Sequence, residues 1–462
     1  MGWLPAAIPR VARPDELAAD PLAFLARARA EHGDLVVLRE EGPLFSRAPD
    51  CRGVVAVFGA ERQRIVLGDL DCFGMPISAA RQLGLPPPLI QLNRGLHSMT
   101  GEPHAAQRRL LGGILGAGID AYDGDLRATL GEVTRGWRAG ATFGLLGAMR
   151  ELATAVSSQL LFGAAGETRD RLVWLLRSYF HLRREVSSPV AVAGDGVLEA
   201  LVALGLALDE ALRAHVRRCR GGGADAPRGL IADLATARTE TGALLAEDDV
   251  VAHANVLFIS GTEPIAVSLT WILLLLDRRP ALRRRLRAEL AGVGEAGGRT
   301  LLDDTIAEVL RLVPPNALMV RVTKREAALF DAVLPERCEI VVCPFVAHRD
   351  PARFPEPGRF LPARWRTIKP SPFEYMPFGA GGHACIGKAL ARHLLDRALS
   401  HILSHYALTL AHDQEIDWRV HIMLMPSVDP VIAVRDPEDP RERDGVLTGP
   451  VAELFGGEDP DA

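Results

Sequence analysis

The sequence predicts a mainly helical fold with small β regions. Three observations predict it. Apolar residues recur at helical spacing over long tracts, above all from Ala246 to about Arg278 and from Leu145 to Leu161. Strand-like runs are few and short: Asp34–Leu38, Gly53–Phe58 and Glu339–Cys343, each rich in β-branched residues. With 462 residues, 48 % of them hydrophobic, the chain has ample material for a sizeable core.

Taken in order, residues 1–20 read as an irregular N-terminal arm. Asp20-Pro21 opens a helix, with Asp as cap and Pro at the first helical position, and Leu22, Leu25, Ala26 and Ala30 form its apolar face. The first two strands follow, and Gly59-Ala60-Glu61-Arg62 begins another helix. Residues 70–98 show no clean period, and Pro86-Pro87-Pro88 argues against a regular helix there. Pro103 marks a helix start, and amphipathic helices are expected at 120–137 and 145–162. Between 168 and 218, helices are broken by Ser187-Ser188-Pro189 and Gly194-Asp195-Gly196. Arg213, Arg217, Arg218 and Arg220 read as a solvated helix end. The long helix has Glu247, Asp248 and Asp249 in its first turn, where the helix dipole favours them. A basic helix follows Pro280, and a helix around Thr305–Leu312 is stopped by Pro314-Pro315. Residues 436–462 carry little apolar content and read as an acidic, partly disordered tail.

The net charge of −5 gives no basic field for nucleic acid. Six scattered cysteines show no zinc spacing and fit a reducing compartment. The N-terminus lacks an apolar core long enough for a signal peptide, and the longest apolar run, Leu269–Leu276, is far short of the roughly 18 residues of a spanning segment. A soluble, cytoplasmic protein is expected.

The chain is organised around Pro377-Phe-Gly-Ala-Gly-Gly-His-Ala-Cys385-Ile-Gly387-Lys388. Its glycines permit backbone conformations that a Cβ obstructs. Ile386, Leu390, Leu394 and Ala398 then recur at helical spacing, which puts Cys385 at a helix start, where outward N–H groups favour a thiolate. Such a thiolate suits axial ligation of haem iron.

The pattern Phe378-x-x-Gly381-x-x-x-Cys385-x-Gly387 resembles the haem-binding loop of cytochromes P450, with every fixed position filled. The resemblance covers about residues 15–435 and is closest to the soluble, bacterial type. It implies the P450 fold, with an arm (1–20), a haem domain (21–435) and the acidic tail (436–462). It also implies haem b as cofactor, with Cys385 as the metal ligand and Phe378 and Gly387 framing it. His104-x-x-x-Arg108, one turn apart on one helical face, matches the family's propionate contact, and Arg321 and His383 complete that cationic set. Glu308-x-x-Arg311 and Arg364 match the structural charge cluster that braces the cysteine loop. Leu89, Ile90 and Leu96, Ala317 and Leu318, and Met423 and Leu424 fall where the family lines its substrate pocket.

The centre of the long helix, Ser260-Gly261-Thr262-Glu263-Pro264, resembles the family's oxygen-activation segment, with one departure: Pro264 stands at the threonine position. Proline removes a helix hydrogen bond, clashes with the carbonyl four residues back and cannot donate. The missing hydroxyl ordinarily holds water at the oxygen site. Ser260, Thr262 or Glu263 takes over, or the substrate supplies the group. The implied function is haem-thiolate monooxygenation of a small, largely apolar molecule of secondary metabolism, free or carrier-bound. Electrons would come from a separate ferredoxin or flavodoxin and its reductase, to a monomer without nucleic-acid or membrane partner. Lys388, Arg392 and Arg397, with Arg109, offer a positive face for such a partner. A peroxide-driven peroxygenase, a non-oxygenating haem-thiolate enzyme and a non-catalytic haem-binding protein are the alternatives.

Overall fold

The computed structural model describes residues 3–455 except 12–13, 47, 49, 77–83, 188–194, 224–225, 293–299, 421–422 and 438–444. The expected helix breaks at Ser188-Pro189 and Gly194, and tail residues 456–462, lie outside the described residues. The chain forms two compact units. One holds Met1–Pro76, Val133–Leu152 and Pro264–Ala462; the other holds Ile77–Glu132 and Ala153–Glu263.

The first unit is built on a five-stranded sheet. Its strands are β1 (Leu35–Arg39), β2 (Val54–Val57), β3 (Phe73–Gly74), β4 (Met319–Thr323) and β5 (Glu339–Val342), in the order β1-β2-β5-β4-β3. β2 and β5 are parallel, with Val54 opposite Glu339, and the other pairs are antiparallel. Both central strands are buried along their whole length, as their continuous Val/Ile runs require. Leu4, Ile8, Val55, Val57, Ile340, Val342, Met376 and Ala380 belong to one apolar cluster, so the sheet joins the N-terminal arm to the cysteine loop. Glu339 is fully buried, and its carboxylate accepts from the backbone N–H of Phe45 (2.8 Å) and Ser46 (2.9 Å). A buried carboxylate is stable when its lone pairs are filled in this way.

Both ends of the chain are more ordered than composition suggested. The arm is not irregular: Pro14–Ala19 is helical, Leu4 and Ile8 are buried, and Arg10 bridges to Val37. In the tail, Leu447–Thr448 pairs with Gln414–Glu415, and Pro450–Phe455 is a helix. Val451 and Phe455 are buried, and the Phe455 ring stands edge-on to buried Trp271 at 6.1 Å. Two apolar side chains at one helical spacing outweigh the acidic composition around them.

In the second unit, the helices Glu167–Ser187 and Asp195–Gly221 pack closely. A Cβ on Gly205 would lie 2.7 Å from Leu89 Cδ2 and 2.8 Å from Tyr179 Cε2, so glycine permits this approach. Pro87–Leu92 is a helix despite the proline run. The prolines fall in its first turn, where N–H groups have no helical partner to lose. The helix expected at 120–137 is Asp123–Val133, following one at Gly101–Ala121. Arg213 and Arg217 are not merely solvated: Arg213 binds Asp209 (2.7 Å) and Asp248 (2.6 Å), and Arg217 binds Glu247 (3.0 Å). They fasten the acidic start of the long helix, Glu247–Arg278. Among the described residues this helix alone is long and apolar enough to cross a membrane, and 78 % of its most apolar window is buried, as in a core helix.

Buried histidines give the fold a pH dependence. Burial lowers the pKa of His215 and of His253 to about 4, and that of His348 to about 3. Unfolded, each takes up its proton near pH 6.5; folded, each stays neutral until far lower pH. Their burial therefore carries no protonation cost well above pH 6.5 and destabilises progressively as pH falls toward 4. Between pH 7.5 and 5.5 the parent is expected to lose more stability in urea titrations than His215→Phe, by about 1 kcal/mol. Equal losses would contradict this.

Candidate functional site

The cysteine loop lies in the first unit. Gly379 and Gly381 have φ of +68° and +71°, in the left-handed region. A Cβ on Gly381 would sit 2.0 Å from the Leu67 carbonyl oxygen, so backbone packs directly on backbone there. Cys385 N–H donates to the Phe378 carbonyl at 2.8 Å and closes the loop. The helix after it is Lys388–His405, capped at Gly387, so Cys385 stands just ahead of the helix rather than in its first turn. Leu394, Ala398 and Ile402 form its buried face, while Ile386 and Leu390 are half-buried. Cys385 is exposed, whereas Cys51, Cys72, Cys219, Cys338 and Cys343 are buried. Burial raises the thiol pKa of all five, to about 11 for Cys219 and about 12 for Cys343, which keeps them protonated.

A buried charge cluster stands behind the loop. Arg311 grips Glu308 with two bonds, Nε to Oε2 at 3.0 Å and Nη2 to Oε1 at 2.8 Å, and neither residue is exposed. The Glu308 carboxylate also accepts from Arg364 Nε (3.0 Å), Trp365 Nε1 (3.0 Å) and Leu361 N–H (2.9 Å). Arg311 further donates to the carbonyls of His348 (3.0 Å), Pro357 (2.7 Å) and Arg359 (2.9 Å). Every strong group in the cluster is thus answered, the condition for a tolerable buried ion pair.

His348 was not singled out by sequence reasoning. Its Nε2 accepts from Met376 N–H at 2.8 Å, which leaves Nδ1 as the donor to the Arg311 carbonyl at 3.2 Å. Met376 O in turn accepts from Gly379 N–H at 3.0 Å. A line of hydrogen bonds therefore runs from Glu308 through Arg311 and His348 into the cysteine loop. The signal was present in Ala347-His-Arg-Asp-Pro351, but no residue in that stretch announces a neutral imidazole with two buried partners.

Of the cationic set, Arg321 is on β4 and His383 in a 3-10 turn at Gly381–His383, both in the first unit. Arg321 is 4 % exposed, has no carboxylate partner among the described residues, and its Nε is buried without a hydrogen bond. Burial alone pulls its pKa down to about 10. Two residues before it, Met319 Sδ lies 3.8 Å from where a Cβ on Gly379 would stand, which sets β4 against the cysteine loop. His104 and Arg108 are in the second unit on the helix Gly101–Ala121. Burial and then Arg108 lower the His104 pKa. These observations fit haem: an exposed thiol on a glycine cradle, and a buried guanidinium awaiting an acid. Of the positive face, Arg392 is already paired with Asp303 at 2.5 Å, and Arg109 with Glu240 at 2.9 Å.

The long helix remains continuous through Pro264. Ser157 Oγ donates to the Gly261 carbonyl at 2.9 Å, one residue beyond the carbonyl that Pro264 leaves unbonded. Thr262 Oγ1 donates back to Phe258 O at 3.0 Å, which engages its hydroxyl proton. Ser260 is exposed. Glu263 is buried and pairs with Arg184, Nη1 to Oε1, at 3.8 Å.

The expected pocket residues divide. Leu89, Ala317 and Leu424 have almost no exposed surface. Leu89 packs at Gly205, and the Leu424 carbonyl accepts from Trp271 Nε1 at 2.9 Å, so these three pack the interior rather than line a chamber. Ile90, Leu318 and Met423 are half-buried, and Leu96 is 9 % exposed.

Comparison with known proteins agrees with this geometry. The family model described as cytochrome P450 matches residues 207–430. The chain is 30 % identical over 419 residues to cyclooctat-9-en-7-ol 5-monooxygenase of Streptomyces melanosporofaciens, covering 84 % of this chain and 85 % of the relative. It is 26 % identical to pentalenene oxygenase of Streptomyces avermitilis, over 90 % of this chain and 93 % of the relative. The crystal structure of the cytochrome P450DA heme domain superposes with a TM-score of 0.78 at 22 % identity, covering 95 % of this chain and 99 % of that one.

Proposed function

Because the chain belongs to the cytochrome P450 family and is a monooxygenase, we propose that it oxidises a small, largely apolar, terpenoid-like molecule at a haem held by Cys385. By their names, the two Streptomyces relatives act on cyclooctat-9-en-7-ol and pentalenene, and this supports the substrate class. The observation that carries the haem assignment is Cys385 itself, an exposed thiol on a positive-φ glycine loop braced from Glu308. Bound haem supplies an iron at which dioxygen, two electrons and two protons become one inserted oxygen atom and water.

The chain's own residues do the rest. Cys385 supplies the thiolate. Arg321 and His383 of the first unit would answer haem carboxylates, and the family resemblance gives His104 and Arg108 the same role. Arg321 gains most, since its guanidinium is buried with no acid partner among the described residues. Glu263 is the buried acid of the long helix and pairs with Arg184. Pro264 donates nothing and the Thr262 proton is engaged, so Glu263, Ser260 and the substrate must organise water. The bacterial relatives support a ferredoxin-type or flavodoxin-type electron donor and a cytoplasmic setting.

The test uses haem-loaded enzyme with ferredoxin and reductase, a terpenoid panel, and Pro264→Thr. Product per reduced nicotinamide consumed is expected to change by less than about twofold, because the substrate already fills the hydroxyl's role. A rise of about tenfold or more would show that the missing hydroxyl limits coupling and would sink substrate assistance. The absent hydroxyl also favours a second reading, a peroxide-driven oxygenase. Product formed from hydrogen peroxide alone, faster than with the electron donors, would establish it.

A further inference from the structure

We propose that Arg183 is an anion-recognition residue and takes the carboxylate of an otherwise apolar substrate. The proposal rests on the reading of the chain as an oxidase of small apolar molecules, and it narrows the substrate class.

Arg183 lies on the helix Glu167–Ser187, one turn beyond Tyr179. It is held by an oriented amide. Asn93 Nδ2 donates to Tyr179 Oη and to Leu89 O, both at 2.7 Å, so both amide hydrogens are spent. That fixes the flip of Asn93 and turns its carbonyl oxygen to Arg183 Nη1. Tyr179 is fully buried and Asn93 nearly so, which makes this a rigid mount.

No carboxylate among the described residues pairs with the mounted group. Among the described residues Asn93 is its hydrogen-bond partner, and a guanidinium carries five N–H donors. Its pKa is lowered by desolvation, with only the Tyr179 phenol acting in the other direction. Three acids of the same unit are committed elsewhere. Glu263 pairs with Arg184, Glu185 with His181 at 3.1 Å, and Asp249 accepts from Gln107 at 2.8 Å. His97 adds no second charge, because burial and then the field of Arg183 lower its pKa and keep the imidazole neutral.

A half-buried, desolvated guanidinium without an acid is costly, and proteins retain such groups when a ligand answers them. One positive charge matches a monoanion. The planar fork with free N–H groups matches a carboxylate, which it binds through two parallel bonds. Asn93 holds one end of the fork and leaves the remainder to the ligand. The segment that presents Asn93 also carries Ile90 and Leu96, apolar surface suited to a hydrocarbon skeleton.

The test is calorimetric binding to haem-loaded enzyme of paired terpenoids: abietic acid with abietinol, retinoic acid with retinol, geranic acid with geraniol. At least one acid is expected to bind roughly tenfold to a hundredfold tighter than its alcohol. In Arg183→Gln that ratio is expected to fall to within about threefold of unity, and Arg183→Lys to recover only part of it. If no acid binds, or if the preference survives Arg183→Gln, the proposal is wrong. A second measurement needs no ligand. Arg183→Gln is expected to melt no lower than the parent, since it removes an unanswered charge. A fall of more than about 3 °C would assign Arg183 to the fold and overturn the proposal. The reduced carbon monoxide spectrum of the same samples reports the haem-thiolate reading separately. Its failure in the parent would sink that reading, while an intact spectrum without acid preference would sink only this one.

Discussion

Glu308→Leu is expected to destabilise the protein by about 3–5 kcal/mol or more, enough to abolish most folded yield. The carboxylate is fully buried and answers two guanidiniums, an indole N–H and a backbone N–H at 2.8–3.0 Å. Leucine matches its size and removes all of these acceptors together. Arg311 would retain three carbonyl partners, but its charge, and that of Arg364, would stand buried without an anion. Replacing a whole ion cluster with apolar residues can be harmless; removing one member of it is not. The damage should travel to the cysteine loop, because Arg311 holds His348 and His348 holds Met376. The check is urea unfolding of purified protein together with haem content after expression. A midpoint within about 1 kcal/mol of the parent, with full haem, would contradict the account.

Cys385→Ser should do the opposite: little harm to the fold and nearly complete loss of activity. The side chain is exposed, and loop closure uses the backbone N–H of residue 385 rather than its sulfur. Melting should shift by no more than about 2 °C, while turnover falls by about a hundredfold or more and the red-shifted carbon monoxide band of the reduced protein disappears. Retention of that band would assign the iron ligand to another residue. The five remaining cysteines, buried with raised pKa values, are poor candidates. Together, the two variants separate the brace from the ligand it serves.

The parts of the site legible in the sequence were those written in fixed spacing. Cys385 with its glycines, Glu308 with Arg311, and His104 with Arg108 each declare a local geometry that survives folding. Pocket residues were less legible, since an apolar side chain reads alike whether it lines a chamber or fills a core. Leu89, Ala317 and Leu424 went to the core. The proline run at 86–88 misled because a proline's meaning depends on its position in the turn, and here two of the three open a helix. Arg183 and His348 were silent for another reason. Their roles come from partners 90 and 28 residues away in sequence, which no local pattern encodes.

The buried C-terminal helix bears on how the first unit is made. Trp271 is sealed by Phe455 and anchored to Leu424, and Arg279 Nη2 donates to the Phe455 carbonyl at 3.3 Å. β1 and β2, near the start of the chain, wait for β5 at residues 339–342 before the sheet is complete. A chain leaving the ribosome N-terminus first therefore carries an open sheet edge until β5 is made, and an indole without its Phe455 cover until that helix follows. Closure of this unit waits for β5 and then for the helix Pro450–Phe455.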